Sequence, residues 1–561
     1  MSDNQPTDPL SGGPEPFRYD RREVAALLDE VLHDPDHSSL RVFAEEHDLP
    51  PSTLHYWQRR RERIAAPEPL RDFFESSVGL AFLQRLTLAA HLSFHQANGV
   101  GIRPLICFFE NAGLAPFLAC SYGVHQGIAR TVQDGIVSYG EEQHATLARG
   151  MPPRPITLCE DEVYLTSDPW LVGMEPASGF LLVECWAAHR DEKTWNRAVE
   201  QGLAGLPVVV VQGTSDMAKG IVAHVTHGLG AHHSPDLMHL QQDLHQATSL
   251  PLQKQLKQAQ DEATQREYQV YLAAAEEIDY EFGPRRDGPR PDFAGRMQEK
   301  KTERRQAQQE LMRCQDRQEE VKEAIRGLAD DYHPFDAQTG AARSAKTLKK
   351  TLEMRLEVIQ EVADAAELPE KSHVKINRVR KVVPKMVGTL VWFWCQVRSL
   401  LAGKTWTKEE KEMFEKKVLA WAYWQHASNR GRDAKHRREL RQTAHRCREV
   451  VEVDPIWQAM HEERRQEMLA LAQECAGRWV RSSSCVEGRN AVLRLRHHGR
   501  RGFSEKALKV LTVLHNYWIC RPDGTTAAER FFGKKPDDPF EWLLKRFPSL
   551  PRPVSSRQQA A

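Results

Sequence analysis

The sequence predicts an α/β core that is interrupted by a large all-α insertion and preceded by an all-α helix-turn-helix region. Three observations lead to this fold class. Between residues 155 and 216, short β-branched apolar runs alternate with a helical pattern, which is typical of an α/β sheet. From about residue 246 to 478 the pattern is helical throughout. Near the N-terminus, two short helical patterns flank a turn.

Length and composition set broad limits on the protein class. The chain has 561 residues, enough for several domains, and 40% of them are hydrophobic. Basic and acidic residues balance at 77 each, so the net charge does not favour nucleic acid, but the charges are unevenly distributed. No apolar run reaches membrane-spanning length, and residues 1–16 lack a signal-peptide core. These features predict a cytoplasmic protein without a membrane partner.

The cysteine pattern favours free thiols. Ten cysteines occur without a C-x-x-C pair or regular spacing. Cys107, Cys185 and Cys395 lie in apolar surroundings, which predicts that they are buried and reduced. A zinc module or a disulfide framework is not favoured.

Changes in composition and pattern divide the chain into seven segments. The order predicted is a polar tail, a helix-turn-helix domain, a helical domain, the first part of the α/β core, a helical insertion, the second part of the core and a second tail. Their bounds are 1–17, 18–66, 67–150, 151–250, 251–477, 478–548 and 549–561.

The helix-turn-helix prediction comes from the stretch SLRVFAEEHDLPPSTLHYWQRRRERI. Residues 39–46 form one predicted helix, residues 47–50 a turn and residues 52–64 a second helix. Such a second helix would place polar side chains near DNA bases and arginines near phosphates. The predicted base-contacting residues are Ser52, Thr53, His55 and Tyr56, and the predicted phosphate-contacting residues are Arg59, Arg60, Arg61 and Arg63. A plain helical hairpin with a solvated basic end is the alternative.

Residues 67–150 are more apolar and helical, with breaks at the glycine- and proline-containing turns. They could form a second DNA-binding unit or a structural bridge to the α/β core. The bridge is favoured because the segment contains no basic cluster.

The predicted core begins with the strand PITLCEDEVYL. A hairpin over residues 171–186, a helix over residues 191–203 and a fourth strand from Pro207 to Val211 follow. Asp161 and Asp216 then lie at the ends of neighbouring strands, where open α/β sheets commonly place their chemistry. Such carboxylates can hold hard divalent cations. Glu487, in the first turns of a helix capped by residues 482–484, is the candidate for a third acid.

The pieces CEDEVY, GTSDMAKG, PDLMH and SSCVEGRN together resemble the D…D…E transposases with a ribonuclease-H-like fold. The tail NYWICRPDGTTAAERFFGKKP resembles bacterial transposase endings, and Asp236-x-x-His239 resembles the C/D-x-x-H element of Mutator-like and hAT families. The resemblance implies that Asp161 bridges two Mg²⁺ ions, for which Mn²⁺ can substitute. It also implies that Asp216 and Glu487 each hold one of the ions.

Two assignments within this site stay open. Asp161 should point opposite to Glu160 and Glu162 on a strand; the family pattern favours Asp161, and Asp168 is the fallback. His239 could contact the scissile phosphate, support an acid, or be an ordinary core histidine. A zinc site formed by the neighbouring histidines is not favoured, because no cysteine accompanies them; these histidines are His232, His233 and His245.

The insertion contains a predicted helical hairpin over residues 252–280 and 295–330, followed by a basic segment. Residues 371–404 contain no acid, so their cations could contact DNA phosphates. The cations predicted to do so are Lys375, Arg378, Arg380 and Lys381. Aromatic residues nearby could stack on unpaired bases, but core packing is favoured. They are Trp392, Phe393, Trp394, Trp421, Tyr423 and Trp424.

A second basic region covers residues 476–506, with eight lysines and arginines against two glutamates. A metal-dependent phosphoryl-transfer site on DNA would need a carboxylate among such cations. Arg489, Arg494 and Arg496 are predicted to hold the strand. The alternative is a structural ion pair between Glu487 and a neighbouring arginine.

The resemblance implies a nucleoid-associated DNA transposase that binds double-stranded element ends and target DNA, and acts as a homodimer or higher assembly. Two alternatives are kept open. One is a nuclease of the same fold, or a domesticated copy, that cuts without joining. The other is a helix-turn-helix regulator in which the acids are structural.

Overall fold

The computed structural model describes residues 21–33, 39–59, 67–165, 168–285, 287–499, 504–548 and 550. Of these described residues, 70% are helical, and one mixed five-stranded sheet lies among them. Two compact units are formed. One combines the described residues up to Pro152 with those from Val492 onward, and the other runs from Pro153 to Ala491. Within the described residues, no helix combines the length and apolar character needed to cross a membrane.

The first unit begins with three short helices, Arg21–His33, Leu40–Glu46 and Pro51–Arg59. Ser39 caps the second helix, since its hydroxyl accepts from the backbone N–H of Val42. The three helices share a small core, formed by Val24, Leu28, Phe43, Ala44, Leu49, Leu54 and Trp57. Two helices separated by a turn at residues 47–50 therefore exist as predicted, and DNA recognition by them stays a prediction.

Two of the four residues that are predicted to contact DNA bases are exposed on the third helix. Ser52 and His55 are exposed and Thr53 is half-buried. The side chains of Tyr56 and Arg59, and the residues Arg60, Arg61 and Arg63, lie outside what the structure describes.

The rest of the first unit is helical as well. Its helices are Glu68–Glu75, Ser77–Ala90, Ile102–Asn111, Tyr122–Ala148, Glu505–Tyr517, Ala527–Phe532 and Pro539–Arg546, with a π-helical turn at His91–Ala97. The long helix Tyr122–Ala148 packs on the C-terminal helices: Trp542 Nε1 donates to Glu142 Oε1 at 3.1 Å, and Gln143 Nε2 donates to Asp537 Oδ2 at 3.0 Å. The segment 478–548 was predicted to belong to the α/β core, but from Val492 it belongs to this helical unit.

The sheet lies in the second unit. Its strands are β1 (Arg154–Tyr164), β2 (Pro169–Glu175), β3 (Phe180–Trp186), β4 (Val208–Ser215) and β5 (His232–Pro235). Their order is β3-β2-β1-β4-β5. β2 is antiparallel to β1 and β3, whereas β4 is parallel to both β1 and β5. β1 therefore occupies the centre, and β4 ends beside the middle of β1, where Thr214 pairs with Cys159.

The predicted strands and the helix between them agree with this sheet, apart from its last strand. The helix Glu192–Leu203 connects β3 to β4, and the short helix Lys219–Ala223 with a π-helical turn His224–Gly228 precedes β5. The sequence prediction missed β5. Its four residues HHSP are polar and contain no alternating apolar pattern, so they give no strand signal.

The helical insertion begins earlier than predicted, at Leu237, directly after β5. Helices Leu237–Phe282 and Phe293–Asp331 form the predicted hairpin. The remaining helices are Ala345–Ala365, Glu370–Arg380, Val383–Ala402, Lys408–Met413, Leu419–Ser428, Ala434–Glu452, Pro455–Ala459 and Glu462–Gly477, with a π-helical turn at Phe414–Val418. The helix Ser484–Gly499 follows the insertion.

The aromatic residues of the insertion belong to its core, as favoured from the sequence. Phe393, Tyr423 and Trp424 are buried, while Trp392, Trp394 and Trp421 are partly buried against the same cluster. The burial predicted for two of the cysteines is wrong: Cys107 and Cys395 are exposed, and Cys185 is half-buried. An apolar stretch of sequence does not reveal which face of its helix turns outward.

Burial within one helix of the insertion can be tested with a matched pair of substitutions. Val397 is fully buried, whereas Val391 in the same helix is 48% exposed. We expect Val397→Ala to lower the free energy of unfolding by about 2 kcal/mol, because it removes buried methyl groups and leaves a cavity. Val391→Ala should change it by less than about 0.5 kcal/mol. Urea denaturation measures both, and equal effects would contradict the assigned packing.

Candidate functional site

Asp161 lies on the central strand β1 and is 6% exposed. Its Oδ1 accepts from the backbone N–H of Glu162 at 2.9 Å, and its Oδ2 accepts from Nδ2 of Asn490 at 2.7 Å. Asn490 belongs to the helix Ser484–Gly499. The carboxylate is therefore held between the sheet and the helix that carries Glu487.

The two neighbouring glutamates point to the opposite face of the sheet, as strand alternation requires. Glu160 is fully buried, and its Oε1 lies 3.1 Å from Nε2 of His224. Glu162 accepts from Nε1 of Trp195 and Nη1 of Arg190, both at 3.1 Å. Asp161 is thus the member of the E-D-E cluster that faces Asn490, in agreement with the choice made from the sequence. Asp168, the fallback, is exposed after β1.

Asp236 and His239 form a fixed pair at the start of the helix Leu237–Phe282. Asp236 caps this helix, since its Oδ1 accepts from the backbone N–H of Met238 at 2.8 Å. Its Oδ2 accepts from Nδ1 of His239 at 2.8 Å and from the hydroxyl of Ser483. Asp236 is 1% exposed. Of the open roles for His239, the one as an ordinary core histidine does not fit, because its side chain is 25% exposed and faces another acid.

That acid is Glu487, in the first turn of the helix Ser484–Gly499. Nε2 of His239 lies 3.3 Å from Oε1 of Glu487. One ligand atom each from Asp161, His239 and Glu487 lies within 4.8 Å of the others, and no other group of three such residues was found among the described residues. Two of the three predicted acids therefore converge, and His239 joins them.

Asp216 lies next to this group but outside it. It follows the last residue of β4, and its Oδ1 accepts from the backbone N–H of Ala218 at 2.9 Å. Met217 adopts a left-handed conformation with φ of 72°, which is strained for a residue with a side chain. Asp216 is close enough for its charge to raise the pKa of Asp161.

The electrostatics of the group are those of a site crowded with acids. Burial raises the pKa of Asp161 to about 7, and the nearby charges of Glu487 and Asp216 act in the same direction. The hydrogen bond to Asp236 raises the pKa of His239 to about 9. A cation placed among Asp161, His239 and Glu487 would offset this accumulation of negative charge.

Hydrogen bonds connect residues 480–483, which follow the insertion, to β4 and to the start of the insertion. The backbone N–H of Leu237 donates to the carbonyl of Arg481 at 3.0 Å. Nε2 of Gln212, on β4, donates to the carbonyl of Val480 at 3.0 Å. Arg481 in turn donates to the carbonyl of Tyr332 at 2.7 Å. These contacts explain why Glu487 is brought next to Asp161 from the far side of the insertion.

The three arginines predicted to hold DNA near Glu487 have different environments. Arg489 is 5% exposed and makes a two-pronged ion pair with Glu184 on β3, with Nε–Oε1 at 2.6 Å and Nη2–Oε2 at 2.7 Å. The prediction of a DNA contact for Arg489 is wrong in this structure, because its guanidinium is buried. Arg494 is exposed, and Arg496 donates to the carbonyl of Ala97. The proposed ion pair between Glu487 and an arginine is replaced by the contact with His239.

The cations of the insertion lie on the helix Glu370–Arg380 and just after it. Nζ of Lys375 donates to Oε1 of Gln246 at 2.7 Å, and Nη1 of Arg378 lies 3.7 Å from Oδ2 of Asp243. Arg380, which donates to the carbonyl of Leu356 at 3.4 Å, and Lys381 are both exposed. Asp243 and Gln246 are on the same helix as His239, four and seven residues later, and so share one face with it.

The neighbouring histidines are used in packing and hydrogen bonding. Nε2 of His233 lies 2.9 Å from the hydroxyl of Ser215. His232 stacks on Trp392 with ring centroids 5.2 Å apart, and His245 is exposed. Sequence reasoning did not find Asn490 and Glu184. Asn490 lies three residues after Glu487, which is helix spacing, and this is the only signal that could have pointed to it.

Comparisons with known proteins assign no activity to this arrangement. The model of a family of unknown function (DUF6399) matches residues 414–559. These residues cover the end of the insertion, the helix that carries Glu487 and the C-terminal helices. No curated protein and no solved structure matches the chain.

Mutation can distinguish a structural role of Arg489, through its buried ion pair, from a role in contacting DNA. We expect Arg489→Ala to lower the free energy of unfolding by about 3–5 kcal/mol, because the buried carboxylate of Glu184 loses this ion pair. Arg494→Ala, at an exposed position, should change it by less than about 0.5 kcal/mol. Chemical denaturation without DNA measures both. Weaker DNA binding with unchanged stability in Arg489→Ala would contradict the assignment.

The raised pKa of Asp161 predicts a pH dependence for the metal-free protein. An unfolded Asp161 has the ordinary aspartate pKa of 3.8, whereas burial raises the pKa of the folded one to about 7. Raising the pH between these values therefore favours the unfolded state and lowers stability. We expect Asp161→Asn to flatten this slope and to be more stable than the wild type at pH 8. Denaturation in chelator at several pH values measures it; parallel curves would contradict the prediction.

Proposed function

We propose that this protein is a metal-dependent DNA transposase with a ribonuclease-H-like core, in which Asp161, Asp216 and Glu487 form the active site. The observation that carries the proposal is the convergence of Asp161 and Glu487 from the two sides of a large helical insertion. Residues so far apart in sequence converge on a water-accessible group, in which Glu487 is 27% exposed. This is the arrangement expected for a site with a chemical role.

The sheet supports the fold part of the proposal. Its order of β3-β2-β1-β4-β5, with β2 antiparallel to β1 and β3, gives the mixed sheet that an α/β core requires. Asp161 lies on the central strand and Asp216 directly follows the parallel neighbour β4. Glu487 comes from the helix after the insertion.

The residues present fit divalent cations. The group offers carboxylate oxygens, which hard cations such as Mg²⁺ and Mn²⁺ prefer, and Asp216 adds a further acid nearby. When bound, such cations would activate a water or a DNA 3′-hydroxyl and stabilise the leaving oxygen. Asn490 and the backbone N–H of Glu162 keep the Asp161 carboxylate in one orientation. The strained turn at Met217 positions Asp216 beside the group.

The surroundings supply cations suited to a DNA backbone. Lys375 and Arg378 lie along the helix face that begins with His239, so their positive charges flank the site. Arg380, Lys381 and Arg494 are exposed and could contact phosphates. The three N-terminal helices are proposed to recognise element ends, and handling two ends together would require a dimer or higher assembly.

A regulator with purely structural acids is less well supported. Burial and neighbouring acids raise the pKa of Asp161 to about 7, so the ionised carboxylate destabilises the folded state. Structural acids are usually paired with cations, as Glu184 is with Arg489. Asp161 lies near His239 but also near Glu487 and Asp216, and such a grouping of acids is typical of a functional site.

Cleavage of a labelled supercoiled plasmid that carries the DNA flanking this gene tests the proposal. With Mg²⁺ or Mn²⁺, the wild type should cut it, and Asp161→Asn, Asp216→Asn and Glu487→Gln should each lose at least about 100-fold in rate, equal to several kcal/mol of transition-state stabilisation. Asp168→Asn, an exposed acid after the same strand, is the matched control and should stay active.

The products of that assay separate the remaining alternatives. Joined strands would indicate a transposase, and cut strands without joining would indicate a nuclease or a domesticated copy. Equal behaviour of all variants, with DNA binding retained, would exclude the metal site and favour the DNA-binding regulator.

A further inference from the structure

We propose that His239 is itself a metal ligand, through Nε2, so that the cation beside Glu487 has a mixed nitrogen and oxygen environment and is preferentially a first-row transition ion. This inference rests on the proposed function for the existence of a metal site. It goes beyond that function in the ligand set and in the class of ion selected.

The orientation of the imidazole supports this role. Nδ1 lies 2.8 Å from Oδ2 of Asp236, and a carboxylate can only accept, so Nδ1 carries the hydrogen. Nε2 then points away from Asp236, toward Glu487 Oε1 at 3.3 Å. A histidine that donates from one ring nitrogen to a carboxylate and presents the other to a metal is a recurrent pattern at metal sites.

The carboxylate of Asp236 is held by other hydrogen bonds besides the one with His239. It is almost fully buried and also accepts from the backbone N–H of Met238 and from the hydroxyl of Ser483. Ser483 lies one residue before the helix that carries Glu487. The same carboxylate therefore orients His239 and ties its helix to that of Glu487. Such support is what holds the donors of a metal site in place.

The donor set distinguishes this site from one made of acids alone. His239 is within 4.8 Å of both Asp161 and Glu487, whereas Asp216 does not belong to that group. The group therefore combines two carboxylates with one imidazole. Mg²⁺ favours oxygen ligands and retained waters, while imidazole favours transition ions. The exposed fractions of His239 and Glu487, 25% and 27%, leave a path for an ion.

Pulsed electron paramagnetic resonance of the full-length protein with bound Mn²⁺ tests the inference. A directly bound imidazole couples the nitrogen nucleus to the manganese. We expect this coupling in the wild type and its loss in His239→Gln, with Mn²⁺ affinity weakened by at least about tenfold. His245→Gln, an exposed histidine on the same helix, should keep both the coupling and the affinity.

Asp236→Asn separates positioning from ligation. If Asp236 orients the imidazole, this variant should keep the nitrogen coupling but bind Mn²⁺ about 10–100-fold more weakly. Wild-type Mn²⁺ bound without nitrogen coupling, or coupling that persists in His239→Gln, would overturn the inference and leave the proposed function standing. Nitrogen coupling without any DNA cleavage would instead support the ligand and contradict the proposed function.

Discussion

The candidate site depends on one constraint, the anchoring of residues 480–490 to the sheet. Gln212 binds the carbonyl of Val480, Ser483 binds Asp236, and Asn490 binds Asp161. The insertion between β5 and this segment has a large core of its own, so its folding can offset the entropy of closing so long a loop. Its two ends meet where the N–H of Leu237 donates to the carbonyl of Arg481. Without this meeting point, Glu487 would have no fixed relation to Asp161.

The anchoring of residues 480–490 also brings acidic side chains close together, and their mutual repulsion destabilises this arrangement. Asp161, Asp216 and Glu487 repel one another, and burial adds to the cost of the ionised Asp161. His239 offsets part of that repulsion, because Asp236 raises its pKa to about 9 and so favours its positive form when no cation is present. Elsewhere in the same unit, the fold pairs the buried Glu184 with Arg489. This contrast supports the proposed metal site near Asp161.

Local patterns in the sequence predicted more of this molecule than long-range ones. Strand alternation predicted that Asp161 points away from Glu160 and Glu162, the resemblance favoured Asp161 among them, and the β-branched run before Asp216 identified β4. β5 escaped because a four-residue polar strand carries no periodic signal. The role of Arg489 was mistaken because a run of cations does not show which one turns inward toward Glu184. The grouping of residues after Val492 with the N-terminal helices depends on contacts between distant segments, such as Trp542 with Glu142, which no local pattern contains.

Anomalous X-ray scattering from Mn²⁺-soaked crystals of the full chain would show whether Asp161 and Glu487 share a divalent cation. We expect an anomalous peak between the two carboxylates that is absent from crystals of Asp161→Asn. A second peak beside Asp216 would agree with a pair of ions. Bound manganese found only elsewhere on the protein, with none between Asp161 and Glu487, would rule out a shared cation.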